Sequence, residues 1–173
     1  MILWINGAFG CGKSSVAAEI NKSVNKSFVY DPEQVGYFLW DNFPEEMKAK
    51  GNFQHLPIWR EFNYKILKHI ADNYEGIIIV PMTVYVKQYY DEIVESLMSD
   101  GIAVNHFILS ATKQTIIERL VKRGEAEDCW AAKHVDVCLA AFETDISERK
   151  INAEIKNANE IACEIIALLG LPA

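Results

Sequence analysis

The four cysteines, at positions 11, 129, 138 and 163, make no CxxC pair, and the four histidines, at 55, 69, 106 and 134, show no metal-ligand spacing. Neither a disulfide framework nor a zinc site is suggested, and the expected compartment is the reducing cytosol. Basic charge is also short. Seventeen Lys and Arg against 24 Asp and Glu leave a net charge of −7, which opposes a nucleic-acid partner because such binders carry a basic face. No apolar run approaches the ~18 residues that span a bilayer, so no stable membrane insertion is expected. The first residues read as a strand rather than an export signal. No repeat, linker or low-complexity segment divides the chain. With 173 residues, half of them apolar, a single domain over 1–173 with a sizeable core is the expectation.

Only nine glycines are present, and three of them fall within Gly7-Ala8-Phe9-Gly10-Cys11-Gly12-Lys13-Ser14. This stretch fits GxxxxGK[ST], follows the apolar run Met1–Ile5 and precedes a helix pattern carried by Val16, Ala17, Ile20 and Val24. In that context the glycines free the backbone so that successive N–H groups and a helix N-terminus converge on an anion. Gly7 through Ser15 are therefore read as a cradle for ATP. Lys13 is expected to reach the β and γ oxygens and Ser14 to hold Mg²⁺. Cys11 reads as a small filler of the loop.

Further along, Lys26–Tyr30 reads as a second strand ending at Asp31-Pro32. In an open α/β sheet the carboxyl ends of the strands face one crevice, which would place Asp31 beside the loop. Asp31 can act on a substrate there, cap the next helix, or do both. Segment 36–74 is crowded with rings and is a candidate acceptor-binding insertion, with Trp40, Trp59 and Arg60 as substrate contacts; most of the rings could equally be packing. A helix is expected from Pro57 to before Gly76, then the central strand Gly76–Val80 leading to Thr83, a ligand contact or a half-buried strand residue. No Asp stands after that strand, which leaves Asp31 as the nearest acid for a metal. A helix over Val86–Met98, a strand over Ile102–Leu109, a helix capped by Ser110 or Thr112, a helix from Trp130 to Phe142, a short strand over Arg149–Ala153 and a last helix complete a βα rhythm. Arg119 and Arg123 share one helical face at the mouth of a polar segment, 123–131, read as a lid. They are either solvated or closing over phosphate.

Trp4 to Ser14, Val29-Tyr30-Asp31-Pro32-Glu33, Pro57-Ile58-Trp59-Arg60, Ile79-Val80-Pro81-Met82-Thr83 and Trp130-Ala131-Ala132-Lys133 together resemble the tunicamycin-resistance ATP-binding protein family. That family is similar to the P-loop small-molecule kinases, including chloramphenicol phosphotransferase and shikimate kinase. The resemblance implies a three-layer α/β P-loop fold, with a five-stranded parallel sheet ordered 2-3-1-4-5 and a short lid. It also implies transfer of the ATP γ-phosphoryl to a hydroxyl of a small molecule by a cytoplasmic monomer or homodimer, with Lys13, Asp31, Arg119 and Arg123 as catalytic residues. The competing expectation is a protein that sequesters a hydrophobic nucleoside drug in an ATP-dependent way without chemistry.

Overall fold

A computed structural model describes residues 1–48 and 51–171. Five strands, β1 (Ile2–Gly7), β2 (Ser27–Val29), β3 (Ile77–Pro81), β4 (Val104–Ser110) and β5 (Arg149–Asn152), form one sheet in the order β2-β3-β1-β4-β5. All neighbouring pairs are parallel, with Ile2 opposite Ile78 on one side and Val104 on the other. The unbroken apolar runs of β1 and β3 dictate this arrangement. Ile2 through Ile5 and Ile78 through Val80 have no exposed surface, as strands covered on both faces must.

Parallel neighbours need long crossovers, and helices supply them: α1 (Lys13–Ser23), α2 (Glu33–Asn42), α3 (Pro57–Asn73), α4 (Lys87–Tyr90), α5 (Ser96–Ser99), α6 (Lys113–Lys122), α7 (Trp130–Lys133), α8 (Val135–Thr144) and α9 (Ala158–Leu168). α1 packs on β1, β3 and α9, and α8 lies against β1. Short 3-10 turns at Glu45–Met47 and Phe53–His55 interrupt the link from α2 to α3. The predicted insertion 36–74 includes residues 49–50, which lie outside the described residues. Among the described residues no helix is long and apolar enough to cross a membrane.

The helix predicted over Val86–Met98 is present, running through α4, a π-turn at Asp91–Glu95 and α5, with the Ser96 hydroxyl donating to the Asp91 carbonyl at 3.1 Å. Two other local expectations are corrected. The helix predicted from Trp130 to Phe142 breaks at His134, whose ring Nδ1 lies 2.7 Å from the Trp130 carbonyl and whose backbone leaves helical angles. Of the two candidate caps for α6, Thr112 serves, accepting the Thr115 N–H, while Ser110 is the last residue of β4.

His106, on β4, is buried, stacks on Tyr90 at 5.2 Å, and holds Nδ1 at 3.1 Å from the Tyr90 hydroxyl. Among the described residues its Nε2 has no partner. Burial pushes its pKa down from 6.5 to about 3. The unfolded chain therefore takes up this proton near neutrality and the folded chain only in strong acid. Its contribution to stability is complete above pH 6.5 and is lost as pH falls toward 3, at up to ~1.4 kcal/mol per pH unit. Between pH 7 and 5, urea unfolding should show a loss about 2 kcal/mol larger for the parent chain than for His106→Leu. Equal pH slopes would assign the dependence to other groups.

Candidate active site

The end of β1 and the start of α1 build the cradle. Gly7 lies so close to β4 that a Cβ there would sit 2.7 Å from the Leu109 carbonyl oxygen, so only glycine fits without displacing the strand. Gly12, at φ 95°, is the left-handed residue that starts α1 without any side-chain cap, and nothing lies within 4 Å of where its Cβ would be. With no side-chain cap, the first N–H groups of this eleven-residue helix are left for another acceptor, as in helices that hold an anion. Lys13 Nζ donates to the carbonyls of Gly7 at 3.1 Å and Ala8 at 3.0 Å, arching back over the loop. Burial lowers its pKa from the usual lysine value. Ser14 and Ser15 are exposed on the first turn. Cys11 is buried with its pKa raised by desolvation, the state of an inert filler.

Two buried groups tie the loop to the segment that follows β3. The Asn6 amide donates to the Val84 carbonyl at 2.9 Å and accepts from the Val84 N–H at 3.0 Å, and the Thr83 hydroxyl donates to the Gly7 carbonyl at 2.8 Å. Thr83, expected to touch substrate, therefore spends its proton on the loop, although it also borders the cleft.

Asp31 follows β2, flanked by two anchors: the Tyr30 hydroxyl donates to Asn63 at 2.7 Å, and Trp59 Nε1 donates to the Pro32 carbonyl at 3.0 Å. One Asp31 oxygen accepts the Glu33 N–H at 3.0 Å and the other accepts from Gln34 Nε2 at 3.2 Å. Asp31 thereby takes up the N–H of the first residue of α2, and it borders a cleft of 420 Å³ together with Lys13, Ser14, Glu33 and Arg123. The sequence marks Glu33 only as the end of the motif Val29–Glu33. Its carboxyl pKa is raised by burial and by the charge of Asp31, so a carboxylate pair occupies one wall.

The structure separates the predicted aromatic contacts. Trp40 lines a neighbouring cavity of 210 Å³ that shares Phe9, Glu33 and Tyr37 with the cleft. Trp59 is fully buried and acts on Asp31 only through the Pro32 carbonyl. Arg60 is a strut, 5% exposed, with Nε paired to Glu92, Nη1 donating to the Gln54 carbonyl at 2.6 Å, and the guanidinium 4.3 Å from the Tyr89 ring centroid. Trp59 and Arg60 border neither cavity, because α3 turns them into the interior. Trp130, a helix start within the segment read as a lid, packs edge-on against Phe9 of the loop at 4.9 Å and lines the small cavity.

The two arginines also part. Arg119 donates from Nη2 to the Ala153 carbonyl at 2.7 Å and borders a 490 Å³ cavity between the loop and the start of α9, not the cleft of Asp31. A capping box between Asn157 and Glu160 shapes that edge. Arg123 borders both spaces and pairs with Glu125 at 2.8 Å, largely exposed. Neither Asn157 nor Lys156, which also line the larger cavity, was marked by any pattern in the sequence.

A parallel sheet ordered 2-3-1-4-5, with a glycine-rich loop between β1 and α1, defines the shikimate-kinase-like P-loop fold. The solved structure of a tunicamycin resistance protein from Deinococcus radiodurans is similar over 98% of this chain and 95% of that one, at 27% identity and a TM-score of 0.83. A Sinorhizobium meliloti gluconokinase aligns over 97% and 90% of the two chains at 15% identity and a TM-score of 0.66. A Bacteroides thetaiotaomicron shikimate kinase aligns over 99% of each chain at 15% identity and a TM-score of 0.65. No family model and no curated protein matches by sequence.

Proposed function

We propose that this chain binds MgATP and transfers the γ-phosphoryl group to a hydroxyl of a small molecule, of the nucleoside-like antibiotic kind that the name of the Deinococcus radiodurans neighbour suggests. The observation that carries the reading is the shared cleft. One 420 Å³ space is bordered by Lys13 and Ser14 of the anion cradle, by Asp31, and by Arg123. The 490 Å³ cavity on the far side of the loop, with Val16 and Ile161 apolar and Lys156 charged, suits the nucleoside end of ATP.

In this reading the backbone N–H groups of Gly10 to Ser14 and the Lys13 ammonium hold the phosphates. Among the described residues no cluster of three His, Cys, Asp or Glu could hold a metal. The hard oxygens of Ser14 and Asp31 fit Mg²⁺, which takes few protein ligands and relies on phosphate oxygens and water. When bound it would neutralise charge on the phosphates. Asp31 orients the acceptor hydroxyl and takes its proton as that oxygen bonds to the γ-phosphorus and the bond to ADP breaks. The transition state is loose, so positioning and charge supply most of the rate. A mass spectrum of nucleoside-like compounds incubated with the chain and MgATP tests this. A product heavier by one phosphoryl group supports transfer, and its absence from a complex that binds both ligands supports sequestration.

Segment 123–131 is proposed as the lid, with Arg123 meeting the γ-phosphoryl on closure. Its exposed pair with Glu125 is worth little to the fold, under ~1 kcal/mol. Arg123→Ala should thus lower turnover by about 10²-fold or more, with melting temperature and ATP affinity nearly unchanged, because the contact is made chiefly in the reacting state. Kinetics and thermal unfolding check this; parent-like turnover would return Arg123 to the surface.

A further inference from the structure

The Lys13 ammonium donates to two carbonyls of the loop, and each of those carbonyls has a second donor of its own. The Ala8 oxygen accepts the Cys11 N–H at 3.2 Å as well as Lys13 Nζ at 3.0 Å. The Gly7 oxygen accepts the Thr83 hydroxyl at 2.8 Å as well as Lys13 Nζ at 3.1 Å. A carbonyl oxygen has two lone pairs, so Thr83 and Lys13 together fill the Gly7 acceptor. An ammonium has three donors. With two of them on Gly7 and Ala8, Lys13 cannot meet two phosphate oxygens until it gives up at least one carbonyl. The cost of that release depends on what the carbonyl keeps. Gly7 is buried, and a buried carbonyl left without a donor carries the desolvation penalty in full.

We propose that Thr83 is a positioning residue for Lys13: its hydroxyl keeps the Gly7 carbonyl hydrogen-bonded when the ammonium turns to the phosphates of ATP. The inference rests on reading the loop as the ATP site and deepens it, by naming the side chain that frees the lysine to move. Thr83 acts here through the Gly7 carbonyl and touches neither nucleotide nor acceptor. The Ala8 carbonyl needs no such side chain, because the Cys11 N–H of the loop itself stays on it.

The aim of that hydroxyl is fixed from several sides. Thr83 carries the one polar side chain in 77–84, and it is 2% exposed. Both of its neighbours are bonded to β1. The Met82 N–H donates to the Ile5 carbonyl at 3.1 Å, and the Val84 N–H and carbonyl both engage the Asn6 amide. The Thr83 carbonyl accepts Gln54 Nε2 at 2.9 Å, and the Gln54 carbonyl in turn accepts Arg60 Nη1 at 2.6 Å. A valine of the same shape would pack equally well in this apolar run but would offer Gly7 no donor.

The test is a double-mutant cycle on the full chain with Thr83→Val, Lys13→Ala and both together, read by MgATP affinity and by urea unfolding without nucleotide. Affinity comes from calorimetry, or from displacement of a fluorescent ADP analogue where binding is weak. Thr83→Val should weaken MgATP about 10-fold, because the Gly7 carbonyl then loses its remaining donor as Lys13 leaves. Thr83→Ser, which returns the hydroxyl, should restore the parent affinity. In the Lys13→Ala background Thr83→Val should change the affinity by less than about 2-fold, since no ammonium leaves Gly7 on binding. In urea each single variant still leaves the carbonyl one donor, so the double variant should lose more stability than the two singles added. Parent-like MgATP affinity in Thr83→Val overturns the proposal. So does an equal loss in both backgrounds, which would make Thr83 a structural support of the loop and nothing more. Should Thr83→Val fail to fold, Thr83→Ala takes its place in the same cycle. A parent chain that does not bind MgATP refutes the ATP site and this inference together, whereas the expected cycle with no phosphorylated product sinks transfer alone.

Discussion

Lys13→Ala is expected to weaken ATP binding by about 10²-fold or more, with the fold intact. In the parent chain the ammonium lies at hydrogen-bond distance from the carbonyls of Gly7 and Ala8, at the mouth of the loop that opens α1 without a side-chain cap. Charge-assisted hydrogen bonds to two phosphate oxygens, about 1.5–3 kcal/mol each, cannot be replaced by backbone amides already engaged. The loop's shape does not depend on the ammonium. It is set by the close approach of Gly7 to Leu109 and by the Asn6 and Thr83 hydrogen bonds. Calorimetry should therefore show ATP affinity lost while circular dichroism matches the parent. Unchanged affinity would refute the assignment of the loop to phosphate.

Asp31→Asn should lower turnover by about 10² or more while nucleotide binding survives. The substitution is nearly free of structural consequence, because an amide oxygen can still accept the Glu33 N–H, and the anchors at Tyr30 and Pro32 are untouched. What disappears is a proton acceptor and a negative charge in the cleft. Glu33 stands beside it with its pKa raised in part by that charge, so Glu33→Gln is the paired control. Near-normal turnover in Asp31→Asn together with loss in Glu33→Gln would move the base to Glu33. Normal turnover in both would remove proton transfer from this wall altogether.

The parallel α/β character of the sheet and the placing of the loop were legible because each rests on local chemistry, while the strand order came with the family resemblance. A run such as Ile77–Val80 can only be covered on both faces, a glycine-rich turn between strand and helix can only present N–H groups, and parallel strands deliver their C-terminal ends to one edge. Lys13, Ser14 and Asp31 inherit their common cleft from that edge. Arg60 was misjudged for the converse reason, and for Trp59 the structure decides the open alternative in favour of packing. Residue type says that an arginine or indole seeks a polar partner, but not whether that partner is a ligand or, as here, Glu92 and the Pro32 carbonyl.

The amino-acid sequence thus determined the α/β class, the glycine-rich turn between β1 and α1 and the place of the acid beside it, since these follow from periodicity and from the conformational freedom of a few glycines. Tertiary structure alone decided that Arg119 and Arg123 border different spaces, that Glu33 joins Asp31, and that Trp40, Asn52 and Gln54 close on one cavity. Those side chains stand on α2 and on the turn before α3, and their meeting depends on the angle at which the elements pack. A packing angle is set by long-range burial over the whole core, and no window of consecutive residues contains it.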